Sequence, residues 1–307
     1  MSILVVGSVA LDYLETPHGI MKNALGGSAT FVSISASYLS QPVRFVGIVG
    51  GDFPEEHIGY FQSRGIDLEG LVRVSEGKTF SWGGRYHEDM NNRDTLYTEL
   101  GVFETFSPEI PDIWKASEFI VLGNIHPILQ LHVLDQISSP RYIICDTMNL
   151  WIDISKEDLL RTIARVDALI LNDQEAKMLT GLSNVIAAGK HILTLGPEHV
   201  VIKKGEHGAL LMSRDRIFSA PAFPLDAIKD PTGAGDSFAG GFAGWLSRTN
   251  DTSFENLKRA VICGSTMASF CVEQFSIEGL RDLSAEAIAE RYLAFHDLAA
   301  FELPEKL

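Results

Sequence analysis

The chain has 307 residues, 46% hydrophobic and 21% charged, which supplies a large core and argues against disorder. A formal net charge of −15 lacks the basic surface that a nucleic acid or an anionic membrane requires, so neither is an expected partner. Cys145, Cys263 and Cys271 show neither metal-ligand spacing nor an even count, and no apolar run reaches the roughly 18 residues of a membrane span, so a reducing, cytoplasmic setting is expected.

The opening residues 3–6 read as a first buried strand, with neither the basic start nor the cleavage site of a signal peptide. Further apolar runs of strand length follow at 44–49, 119–122, 142–145, 168–171 and 200–203. Segments 28–39, 55–63, 128–137, 159–166 and 174–179 show helical spacing. Strands apolar on both faces, alternating with helices, predict an α/β fold with a mostly parallel sheet. Segments 12–22 and 78–102 break the rhythm with polar and apolar alternation, as antiparallel strands exposed on one face would. They are expected either to meet as a lid over the C-terminal edge of the sheet, excluding water from a reaction, or to form an ordinary surface hairpin.

The most informative segment is Asp230-Pro231-Thr232-Gly233-Ala234-Gly235-Asp236, followed by a small, apolar, helix-like run at 237–246. Gly233 and Gly235 admit backbone that a side chain would block. At the N-terminus of a helix, the N–H groups of Gly233, Ala234, Gly235 and Asp236 would favour an anion. A carboxylate there would repel a bound phosphate, so Asp236 is expected to be a proton acceptor for a substrate hydroxyl, with a helix cap as its alternative. Other nucleotide signatures fail on spacing. Gly77-Lys78-Thr79 has Val72 where a Walker A loop needs glycine, and Gly233-x-Gly235 is followed by Phe238 where the dinucleotide fingerprint needs glycine or alanine.

With that loop late in an α/β chain, the sequence resembles the ribokinase-like carbohydrate kinases, the PfkB family, nearly end to end. The resemblance implies a three-layer α/β sandwich of residues 1–307 as a single domain, with a small β-strand lid inserted at 12–22 and 78–102. It implies that ATP and Mg²⁺ are used and that a sugar or nucleoside hydroxyl is phosphorylated. A catalytically idle relative that only binds a sugar or nucleotide is the alternative from another class. Asp236 would be the base and the amides of Gly233 to Asp236 the anion hole. Gly26-Gly27 at a helix start would let a sugar ring lie against backbone, and Asp12 would bind its hydroxyls.

Asn172 and Glu175 match the family's Asn-x-x-Glu element, implying water-mediated magnesium, although the same spacing makes a capping box. Residues 201–208 resemble the strand and turn beneath the ATP phosphates, implying nucleotide contacts from Lys203, Gly205 and Gly208, with Thr232 beside them. Asn124, Asp146 and Asn149 follow strands and are further substrate candidates; Asp146 and Asn149 resemble the family's Asp-x-Asn stretch. Residues 256–275 would surround adenine, and 271–276 lack the glycine of the monovalent-cation loop of some relatives.

Ribose-specific members carry a lysine and two asparagines where this chain has Ser28, Phe31 and Ala10, which puts ribose itself in doubt and leaves Phe31 as an apolar pocket floor. Trp82, Tyr86 and Tyr97 would either close over a base or form the lid's own core. Arg85 and Arg93 would either bind a substrate phosphate or pair with Glu88 and Asp89. By analogy with relatives, two lids can meet in a homodimer.

Overall fold

The computed structural model describes residues 1–300. The first part of the chain gives β1 (Ile3–Val6), β2 (Ala10–Thr16), β3 (Gly19–Gly26), α1 (Ser28–Ser37), β4 (Val43–Gly50), α2 (Glu55–Ser63), β5 (Ile66–Val74), β6 (Ser81–Tyr86) and β7 (Arg93–Glu99). It continues through β8 (Phe119–Leu122), α3 (Pro127–Gln136), β9 (Tyr142–Asp146), α4 (Asn149–Ile154), α5 (Lys156–Ile163), β10 (Ala168–Asn172), α6 (Asp173–Thr180) and α7 (Val185–Leu193). The last part is β11 (His199–Lys203), β12 (Ala209–Met212), β13 (Ile217–Ala220), α8 (Ala234–Thr249), α9 (Phe254–Cys271) and α10 (Ala285–Ala299).

Nine strands form the central sheet in the order β13-β12-β11-β10-β9-β8-β1-β4-β5. Pairing is parallel from β11 across to β5 and antiparallel at β11-β12-β13. Its strands are apolar on both faces because both faces are covered. In β1, Ile3 and Val5 join a core with α1, α8 and α9, whereas Leu4 and Val6 join a core with α3, α5, α6 and α7. All four residues are fully buried, and each apolar side chain so placed contributes about 1.5–3 kcal/mol. The sandwich is thereby filled from both sides.

The second sheet has the order β3-β2-β6-β7. Its strands run over 10–26 and 81–99, where lid strands were expected at 12–22 and 78–102, and it is called the lid below; Gly101–Thr105 is a short 3-10 turn. The periodic segment expected at 159–166 is the helix Lys156–Ile163, begun three residues earlier by the acidic pair Glu157 and Asp158 in its first turn. The parallel strands end on one edge, where Asp146, Asn172 and Lys203 are the last residues of β9, β10 and β11. Open α/β sheets bind ligands along that edge.

Candidate active site

The loop before α8 is held from three sides. Asp230 is 0% exposed, and its carboxylate accepts from the Thr232 and Ser276 amides at 2.9 Å each. Gly233 caps α8 in the left-handed region, φ 78°, and the ring of Phe31 fills the place a Cβ would take. Phe31 is 1% exposed, which corrects its expected role. It supports the anion-hole loop from below and has no surface to offer a substrate. The ammonium of Lys203 lies 2.7 Å from the Cβ position of Gly235, beneath the same loop. Ala234 differs from expectation in one respect. Its N–H donates to the Pro231 carbonyl at 3.2 Å, closing the turn, while the N–H groups of Gly233 and Gly235 donate to no backbone carbonyl among the described residues. An anion at this helix end would meet the two glycine amides and the end of the helix.

Asp236 stands in the first turn of α8, among charges brought from other strands. Burial first, and then the negative charge of Asp146, push its carboxyl up to about 7, with Lys203 opposing. Lys203 sits 3.6 Å from Asp146. Burial would lower the lysine, but Asp146, Glu175 and Asp236 outweigh it and its pKa is raised. Burial also raises Glu175 to about 7 and Asp146 above the usual carboxylate range, with Lys203 pulling both back. Three carboxylates thus share one lysine, which leaves the cluster short of positive charge. A carboxyl poised near neutrality next to a cation is suited to accepting a proton.

Asn172 and Glu175 satisfy both readings of their spacing. The Asn172 side chain accepts from the Glu175 amide at 2.8 Å and Glu175 Oε2 accepts from the Asn172 amide at 2.7 Å, a complete capping box. The same box faces Lys203 and Asp146. One Glu175 oxygen is committed to the cap, and among the described residues no three acidic, His or Cys side chains converge as a metal cage. Such a donor set fits a magnesium ion held through its waters and the nucleotide phosphates, since that ion keeps much of its water shell. Gly205 and Gly208 bracket the turn after β11, Gly205 exposed and Gly208 buried, with Ala220 O where a Cβ of Gly208 would lie.

On the acceptor side, Asp12 lies on β2 with its Oδ1 accepting from the Trp82 amide at 3.0 Å. Its burial raises its pKa to about 7. Gly26 is needed because the Asp12 carboxylate occupies its Cβ position, and Gly27, φ 93°, because the Ser8 carbonyl occupies its own. The glycine pair therefore seats Asp12 and turns the chain into α1. Asn124 accepts from Trp151 Nε1 at 2.8 Å and orients α4, while Asn149 at the start of α4 is exposed. Asp146 belongs with Lys203 and Asp236 more than with Asn149.

The lid aromatics divide between its two faces. Tyr97 packs against Gly83 on the outside, whereas Trp82, lying against Gly84, and Tyr86 face inward. Tyr86 is buried, and its hydroxyl accepts from Thr232 Oγ1 at 3.1 Å, which ties the lid to the anion-hole loop. Trp82 is half-buried beside Asp12. Arg85 pairs with Glu15 at 2.8 Å, on the outer face, in place of the expected Glu88 and Asp89. Asp230, Phe31 as a support, and Tyr86 as a latch escaped the sequence reading. Only the position of Asp230 within the loop motif pointed to the first.

A model of the pfkB family of carbohydrate kinases matches residues 2–279. A cytidine kinase of Thermococcus kodakarensis is 33% identical over 252 residues, covering 81% of this chain and 89% of the relative. A nucleoside kinase of Methanothermobacter thermautotrophicus is 28% identical over 287 residues, covering 88% and 89%. The solved structure of a Burkholderia thailandensis nucleoside kinase in complex with inosine shares the fold, with a TM-score of 0.77 over 95% of this chain and 98% of that one, at 20% identity. Among the described residues no helix is long and apolar enough to cross a membrane.

Proposed function

The chain belongs to the pfkB family of carbohydrate kinases, and from that premise we propose that its acceptor is a nucleoside, cytidine foremost. It is an ATP-dependent phosphotransferase acting on a hydroxyl of a sugar or nucleoside. The observation that carries the narrower reading is the half-buried Trp82 on the inner face of the lid, whose backbone amide donates to the hydroxyl-binding candidate Asp12. A base can stack there, a contact worth about 1–3 kcal/mol. The places where ribose-specific members carry polar side chains give a free pentose nothing: Ser28 exchanges hydrogen bonds with Ser8, while Ala10 and Phe31 are buried. The 33% identity to a cytidine kinase supports the same choice.

In this reading Asp12 receives the ribose hydroxyls and the hydroxymethyl group approaches Asp236. Asp236 takes the proton, and the hydroxyl oxygen attacks the γ-phosphorus of ATP in line with the departing ADP. The amides of Gly233 and Gly235 receive the charge on the transferring group. Lys203 keeps Asp236 and Asp146 from repelling one another and meets the phosphates from below. Asn172 and Glu175 would hold Mg²⁺ through its waters, and that ion would neutralise phosphate charge. The test is kcat/KM with Mg-ATP for cytidine, uridine, inosine, adenosine, ribose and deoxyribose. A nucleoside exceeding both free pentoses by tenfold or more is expected; a pentose equal to the best nucleoside overturns the proposal.

A further inference from the structure

Arg93 opens β7 and pairs directly with Tyr86 on β6. Residues opposite one another in an antiparallel pair share a face of the sheet. Tyr86 faces the loop Asp230–Asp236 and bonds Thr232, so Arg93 is carried on the face turned toward the same loop. Its guanidinium lies 5.4 Å from the ring centroid of Trp82, also on that face. Two residues earlier, Asn91 Oδ1 is 3.7 Å from the Cβ position of Gly205, so the tip of the lid hairpin rests on the turn after β11. Arg93 is therefore placed between the two loops that flank the nucleotide phosphates in the proposed mechanism. Its charge is felt at Glu175 and at the Tyr86 hydroxyl.

The arginine has no ion-pair partner among the described residues, whereas Arg85, on the opposite face of the same hairpin, is bidentate to Glu15. The cluster beneath it holds three carboxylates against Lys203 alone, and a triphosphate adds further negative charge. A guanidinium fork is matched to two oxygens of a phosphoryl group. We propose that Arg93 contacts the γ-phosphoryl group of ATP and is a catalytic residue carried by the lid, so that closing the lid supplies charge to the transferring group as well as excluding water. This rests on phosphotransfer from ATP and is independent of which acceptor is used.

The experiment compares wild type with Arg93→Gln, Arg93→Lys, Arg93→Gly and Tyr86→Phe. Calorimetry gives Kd for Mg-ADP and for Mg-AMP-PNP, which carries a γ-phosphoryl group; neither needs an acceptor, so a wrong acceptor leaves this arm intact. In Arg93→Gln, AMP-PNP should weaken about tenfold while ADP stays within twofold. Turnover on whichever acceptor the wild type uses should fall about 10²–10³-fold. Arg93→Lys should fall between, and free guanidinium at non-denaturing concentration should restore part of the turnover of Arg93→Gly. A residue that merely seats the lid gives no guanidinium rescue and no difference between the two nucleotides. Loss of both nucleotides alike, turnover within twofold of wild type, or a Tyr86→Phe variant that reproduces the selective loss of AMP-PNP would each overturn the proposal.

Discussion

The loop Asp230–Asp236 and the lid are the two walls of the proposed site, but they are anchored very differently. The loop is fixed by a fully buried carboxylate bonded to two amides, by Phe31 beneath Gly233 and by Lys203 beneath Gly235. The lid's β7 is exposed along its whole length, and β6 meets the loop through the bond between Thr232 and Tyr86, while its bond from Trp82 to Asp12 stays within the lid sheet. The comparison teaches a division of labour. In the proposed mechanism the base and the anion-binding amides stand on packed core, whereas Trp82, which would select the acceptor, stands on the sheet that is easier to vary, together with Arg93. Substitutions of the loop and of Trp82 should therefore separate into effects on kcat and effects on KM, with Arg93 the lid residue that acts on kcat.

The division breaks most visibly at Gly233. Gly233→Ala forces a side chain onto Phe31 at a positive φ and displaces an anion-hole amide; kcat should fall about 10²–10³-fold while the nucleoside KM stays within threefold, read by steady-state kinetics. A large rise in KM would mean that the loop also selects the acceptor.

The second test uses pH. The Asp236 carboxyl is held near 7, above its ordinary 3.8, and only its deprotonated form can accept a proton. Turnover should rise about tenfold per unit below pH 7 and level off above it. A profile flat from pH 5 to 8 would remove Asp236 as the base. Trp82→Ala addresses the other wall. The nucleoside KM should rise about tenfold with kcat nearly unchanged, and weak activity on a free pentose should not move. The smallest effect is expected at Arg85, whose pair with Glu15 lies on the outer face. Arg85→Ala should leave the midpoint of denaturant unfolding and both kinetic constants close to wild type, because an exposed pair adds little.

The same contrast explains what could be read from the sequence. The anion-hole loop is contiguous, so its glycines, its helix and its carboxylate were legible together, as was the Asn172 and Glu175 spacing. The buried parallel strands were legible because both faces are apolar. Antiparallel β12 and β13 were not, being four residues each at the sheet's end. The strand Ile66–Val74 also escaped, since one face of this edge strand is polar. Phe31 could not be placed without α1 lying against α8, nor could the pair of Lys203 and Asp146, which joins the ends of β11 and β9. Arg93 read equally as a contact for a substrate phosphate or as a partner of Glu88 and Asp89, because sequence distance hides which face of a hairpin a residue occupies. What remained hidden was each contact between elements distant in sequence.

The most direct test of the account is to measure turnover and ligand binding together for Asp236→Asn, using the acceptor that the wild type uses. Turnover should fall about 10²–10⁴-fold while Kd values for AMP-PNP and the acceptor stay within threefold of wild type. Turnover within twofold of wild type, in a variant shown to be folded and to bind both ligands, would contradict the assignment of the base and with it the central role of the loop.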